Sequence, residues 1–188
     1  MNKLIILTVL LLSSISAKAQ SEITIEEPEF SGQVVYVKTP SEGILLPKEN
    51  AQIKTKIGAS VFIVGVGSVK SRIHLQGKSA ETRVSHNPQT KFIVRAVDNK
   101  TDPLQIINVI KFEEKKNERR AEVESASTFG GTASNNMVRL EFNAKKFGVD
   151  SYLISIDNIQ PGEYGIYVTN PNEKDEKNTL IIATFGVD

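Results

Sequence analysis

Chemistry has few places to reside in this 188-residue chain, which holds no Cys, no Trp and two His. Without thiols, a zinc site needs both histidines to converge with carboxylates. His74 falls on the polar parity of an alternating stretch and His86 in a turn-rich one, so neither is assigned as a ligand. No Ser stands in a Gly-x-Ser-x-Gly elbow, and the strand–turn–helix pattern around such an elbow is missing. Gly65-Val66-Gly67 carries Lys70 where a dinucleotide loop needs its third Gly, and reads as a strand end or bulge. The 22 acids offer carboxylate pairs of the kind glycosidases use, but no spacing selects one. Tyr36 and Tyr167 are the candidate sugar-stacking rings, with packing in the sheets as the alternative. The expectation is a non-enzyme with no catalytic residue, no metal and no cofactor.

Recognition has better candidates. The segment Ser125 to Asn136, SASTFGGTASNN, is small, polar and Gly-rich, and loops of this kind on a rigid scaffold often carry binding. Thr128, Phe129, Asn135 and Asn136 are its candidate contact residues. Ile159-Gln160-Pro161-Gly162-Glu163-Tyr164 has the form of a tyrosine corner, in which Tyr164 turns its hydroxyl back to upstream backbone; that role is structural. Asn99-Lys100-Thr101 matches a glycosylation acceptor, a match that is accidental if the source is bacterial.

The run KFEEKKNERRAEV, Lys111 to Val123, looks most like a charged binding patch. As a helix it would set Glu114 beside Glu118, Lys115 beside Arg119 and Lys116 beside Arg120, three like-charged pairs, with no apolar stripe to dock it. As a hairpin turning at Lys116-Asn117, it sets Glu114 opposite Arg119, Glu113 opposite Arg120 and Lys111 opposite Glu122. Phe112 then meets Ala121 on one face and Ile110 meets Val123. The hairpin is the expected form, as a solvated tip whose charges discourage pairing with other chains.

Elements that must position these residues read as strands. Short Val, Ile, Thr and Phe runs alternate with polar residues and break at Gly, Pro, Asn and Ser, as at Ala51–Ile57, Ile73–Leu75, Phe92–Ala96 and Val138–Phe142. Val61–Val66 and Leu180–Phe185 are apolar on both parities and are expected to be central. The predicted fold is all-β: an antiparallel, immunoglobulin-like Greek-key sandwich with additional N-terminal strands. Its expected organisation is a leader at 1–19, an N-terminal β region at 20–78 and a sandwich domain at 79–188.

The leader, MNKLIILTVLLLSSISAKAQ, has a basic start, an apolar run from Leu4 to Leu12 and an Ala17-Lys18-Ala19 cleavage site. Export into the periplasm or the medium is expected, soluble after cleavage near Ala19. No later run approaches the roughly 20 apolar residues of a membrane span. Loss of Lys3 and Lys18 with the leader takes the formal charge from +1 to −1, which argues against nucleic acid as a partner.

GASVFIVGVGSVKSRIHLQG, KFIVRAVDN, the charged hairpin, the PGEYG turn and a terminal FGVD together resemble a group of exported Gram-negative bacterial proteins of unknown function. The resemblance implies bacterial export and a β-rich fold, with no activity to carry over. Function is therefore expected to be that of a non-catalytic envelope or protein-interaction module, with a protein or envelope component as partner. The alternative is a carbohydrate-binding protein or hydrolase with a loop-built site.

Overall fold

A computed structural model describes residues 22–57, 68–127, 133–134, 138–169 and 179–188. The leader, the Val61–Val66 run and the Gly65–Gly67 pair lie outside the described residues. In chain order the strands are β1 (Val34–Thr39), β2 (Glu42–Leu45), β3 (Lys48–Ile57), β4 (Ser68–Gln76), β5 (Arg83–Val84), β6 (Gln89–Arg95) and β7 (Ile107–Glu114). They continue with β8 (Glu118–Ser127), β9 (Ala133–Ser134), β10 (Asn143–Phe147), β11 (Ser151–Asp157), β12 (Gly162–Val168) and β13 (Thr179–Val187). A single helical turn, α1 (Pro103–Ile106), leads into β7; the Asp102 carboxylate accepts the Leu104 N–H at 3.0 Å and Pro103 opens the turn, a capped start that goes no further.

Two sheets form. One is open and five-stranded, in the order β10-β11-β6-β1-β2. In the other, β12-β7-β8-β4-β3-β13 returns to β12, so six antiparallel strands close into a barrel, with the short β5 added parallel on β13. The chain is thus all-β with antiparallel sheets as expected, but where a sandwich of two packed sheets was expected, one of the two sheets is a closed barrel. β13 is the cause: its first half, to Ala183, pairs with β3, while Ala183 to Val187 pairs with β12. A long strand that pairs with different neighbours on its two edges joins the ends of the sheet.

Nor does residue 78 divide the sheets. β1 pairs with β6, and β3 and β4 share the barrel with β7, β8, β12 and β13, so strands from 20–78 and 79–188 build both.

The main core lies between the open sheet and the barrel wall made by β7, β12 and β13. Phe92, Val94, Tyr152 and Ile154 meet Val109, Tyr164, Ile166 and Phe185, all at most 1% exposed. On the far side of the same wall, Ile110, Phe112, Tyr167 and Ile182 point into the barrel, against Ala51, Ile73, Leu75 and Ala121. This two-sided cover explains why β13 is apolar on both parities.

The charged hairpin has the expected register, Glu113 opposite Arg120 and Glu114 opposite Arg119, and the Lys115 N–H donates to the Glu118 carbonyl at 2.8 Å. Lys111 does not face Glu122. Its N–H donates to Val138 at 3.1 Å, because residues 138–140 lie along β7 there, bridging at Ile110 and Arg139. Val138–Phe142 is accordingly an irregular crossing rather than the expected strand.

Phe185 anchors the shared wall, its ring 4.7 Å from that of Phe92 and 5.4 Å from that of Tyr164, centroid to centroid. Phe185→Ala is expected to cost about 3–5 kcal/mol, the usual range for a buried Phe. Urea unfolding measures it; a loss under about 1 kcal/mol contradicts the packing.

Candidate functional site

Charge is concentrated at two places, and they differ in kind. At one end of the barrel, Arg119 of β8 is 1% exposed, although the sequence reading put it on a solvated tip. Its register turns it into the barrel. There Nη2 donates to the two Glu49 oxygens at 2.9 and 2.7 Å and to Gln76 O at 3.1 Å, while Nε donates to Gly77 O at 3.1 Å. The Thr184 hydroxyl adds a bond to Glu49 at 2.5 Å. Arg119 Nη1 is buried without a hydrogen-bond partner, 3.9 Å from Glu163 Oε2. Glu163 itself accepts the Ala80 N–H at 2.6 Å and pairs with Arg83, whose Nη2 donates to Asp188 at 2.5 Å.

An open hollow of about 510 Å³ lies beside Glu163, Asp188 and Glu114. Its Asp188 is not poised as a general acid. A general acid needs a carboxyl held above its ordinary range. Asp188 is held below it, chiefly by the hydrogen bonds from Arg83 and then by that guanidinium's charge. Both Glu163 oxygens are engaged, so these acids secure the 77–84 segment across the barrel end.

The second place is the outer face of the open sheet. Glu22–Glu27 crosses it as an unpaired extended strap with Ile23 and Ile25 inward, packed with Val35, Ile93 and Leu153. That cover explains why Ile93 is buried along with Phe92 and Val94, where alternation predicted one buried face.

Glu27 ties the strap down. One oxygen accepts Arg95 Nη1 at 2.9 Å, the Ser151 hydroxyl at 2.6 Å and the Asp150 N–H at 3.1 Å; the other accepts the Val149 N–H. Gly148, at φ +57°, lies against the Glu27 carboxylate, and a Cβ there would strike it. Burial alone raises the Glu27 pKa, but the bonds from Ser151, Val149 and Asp150 and the charge of Arg95 outweigh it, leaving the carboxyl below its ordinary value.

Beside the strap runs a groove of about 820 Å³, floored by Leu153 and Ser155 and walled by Ile23, Lys91 and β10. Cross-strand register builds it: Asn143, Ser155 and Lys91 form one row, and Lys145, Leu153 and Ile93 the next. Among the described residues, Lys91, Lys145 and Lys146 make no ion pair or side-chain hydrogen bond.

The residues singled out in the sequence lie elsewhere. Thr128, Phe129, Asn135 and Asn136 fall outside the described residues; of the segment around them, β8 and β9 pair Ser125 with Ser134 and Ala126 with Ala133. The Tyr164 hydroxyl donates to Gln160 O at 2.6 Å, across the Pro161-Gly162 turn. Tyr36 and Tyr167 are 6% and 7% exposed, so neither offers a face to sugar. His74 bonds Glu118 at 3.1 Å and His86 bonds Ile159 O at 2.9 Å, two separate settings. The groove lysines were missed because only strand register brings Lys91 to β10; the alternation of Ile23 and Ile25 was the available signal for the strap. No protein-family model matches the chain, and no curated protein matches it.

Because the Glu27 pKa is lowered by folding, its contribution is present above the unfolded carboxylate range and lost as pH falls through the folded value. Glu27→Gln should cost about 1–3 kcal/mol at pH 7. The difference from wild type should shrink as the pH is lowered below about 4.5, the unfolded value. Equal stability at pH 7 contradicts the clamp. Tyr164→Phe should lose about 1 kcal/mol, the worth of one buried hydrogen bond, in the same melts; no change removes the hydroxyl's structural role.

Proposed function

We propose that the chain is an exported, non-catalytic module of a bacterial envelope that holds a partner protein in the groove on the outer face of its open sheet. One juxtaposition carries the reading. Glu49, Glu163 and Asp188 at the barrel end are bound to arginines, whereas three lysines without a partner among the described residues, Lys91, Lys145 and Lys146, converge on one groove. Charge left unpaired on a rigid sheet is available to a second molecule.

Export is argued from the leader at 1–19, with the periplasm or the medium as destination and no membrane span after cleavage. Among the described residues no helix is long and apolar enough to cross a membrane. Cleavage near Ala19 makes the strap the first docked segment of the mature chain. The immunoglobulin-like character we retain is the two-layer contact of the open sheet with the β7-β12-β13 wall. Against the hydrolase or carbohydrate-binding alternative stand the lowered pKa of Asp188 and the burial of Tyr36 and Tyr167.

The test places a photocrosslinking residue at Asn143, in the groove, or at Thr55, exposed on the barrel, in the cell that makes the protein. A discrete adduct from position 143 in the exported fraction, absent from position 55, is the expected result. Retention of uncleaved chain in the cytoplasm, or identical labelling at the two positions, contradicts it.

A further inference from the structure

The open sheet ends at β2 and β10, and an edge strand presents unpaired N–H and C=O groups to any extended chain that reaches it. The two edges are not equivalent. No other described strand takes the second edge of β2, but that strand carries Glu42, paired with Lys38 at 2.7 Å, and no lysine. β10 pairs with β11 from Asn143 to Phe147, and no other described strand takes its second edge. Its backbone makes no further hydrogen bond among the described residues.

Lysines decorate this edge on both faces. Lys145 shares the outer face with Leu153, and Lys146 shares the opposite parity with Tyr152, yet both are exposed. Lys91, two strands in on the groove side, adds to the same field. The acid lining the groove is Glu22. Edge lysines alone are a familiar device against self-pairing, because a second copy of β10 would lay lysine beside lysine. That device does not exclude a strand bearing carboxylates, for which the directly opposed positions become favourable pairs.

We propose, building on the interaction reading above, that β10 accepts an extended acidic segment of a partner protein as a sixth strand of the open sheet. The segment's backbone pairs with the free edge; carboxylates of one parity face Lys145 on the groove side and those of the other face Lys146. A peptide fits better than another polyanion because the site joins an unpaired backbone edge to a groove lined in part by the apolar Leu153 and Ile23.

The experiment titrates ¹⁵N-labelled residues 20–188 with nine-residue peptides that carry Glu or Asp on both strand parities among Val and Thr. Parallel titrations use the Gln/Asn counterparts, peptides N-methylated at alternate residues, and heparin. Binding is expected to shift the amides of Asn143–Phe147, to be about tenfold or more tighter for the acidic than for the neutral peptides, and to weaken with salt. It should be lost on N-methylation along the pairing edge. Lys145→Glu with Lys146→Glu, both exposed positions, should abolish it and create affinity for Lys-bearing peptides.

Absence of binding by every acidic peptide overturns the strand-addition proposal. Heparin competing as tightly, with N-methylation harmless, overturns it in favour of a general polyanion surface. Shifts at β2, or growth of a dimer, overturn it as well. Each leaves the wider reading standing if position 143 still crosslinks a partner in the envelope; loss of that adduct too removes both.

Discussion

Everything in this fold hangs on the wall made by β7, β12 and β13, which is covered on both faces. Outward, Val109, Tyr164 and Phe185 support the open sheet; inward, Ile110, Phe112 and Ile182 fill the barrel. Strands buried on two sides cannot shift register by one residue without moving one apolar set into the space of the other. Gly165 marks how tight the wall is: a Cβ there would stand 2.9 Å from the Phe112 ring and closer still to Ile182. The open sheet inherits its rigidity from this wall, and the groove inherits its shape from the sheet.

Charge is then distributed in two ways. Buried ions need partners and further hydrogen bonds, and breaking such a pair costs far more than forming it gains. Arg119 is held by Glu49 and two carbonyls, and Glu163 by Ala80 and Arg83, which fixes the 77–84 segment over the barrel end. On the barrel's outside, Arg72 with Glu122 and His74 with Glu118 are half-exposed cross-strand pairs of small individual worth. Lys91, Lys145 and Lys146 belong to neither group; what sets them apart from other unpaired surface lysines, such as Lys48, Lys78 and Lys116, is that they line one groove beside one sheet edge.

Much of this was legible in the residue pattern. Alternation located β3 and β4, and apolar character on both parities marked β13 as central. Like-charge clashes ruled out a helix at Lys111–Val123 and led to the observed hairpin register. What failed had a common cause. Local pattern says which side of a strand is apolar but not what covers it, so the barrel closure through β13, the turning of Arg119 inward and the burial of Ile93 beneath the strap all went unseen. The groove was hidden for the same reason, since Lys91 and Lys145 are distant in sequence and meet only through β11. Of the Ser125–Asn136 segment, the candidate contact residues Thr128, Phe129, Asn135 and Asn136 lie outside the described residues.

If the wall is the fixed part and β10 the available edge, the two must differ in how readily their hydrogen bonds open. Amide hydrogen exchange measured strand by strand tests this most directly. Ile110, Ile166 and Phe185 should exchange only with global unfolding, while amides of Asn143–Phe147 that face away from β11 exchange faster by orders of magnitude. Protection of the whole of β10 equal to that of β13, or opening of β13 before the open sheet, would contradict both the shared wall and the free edge.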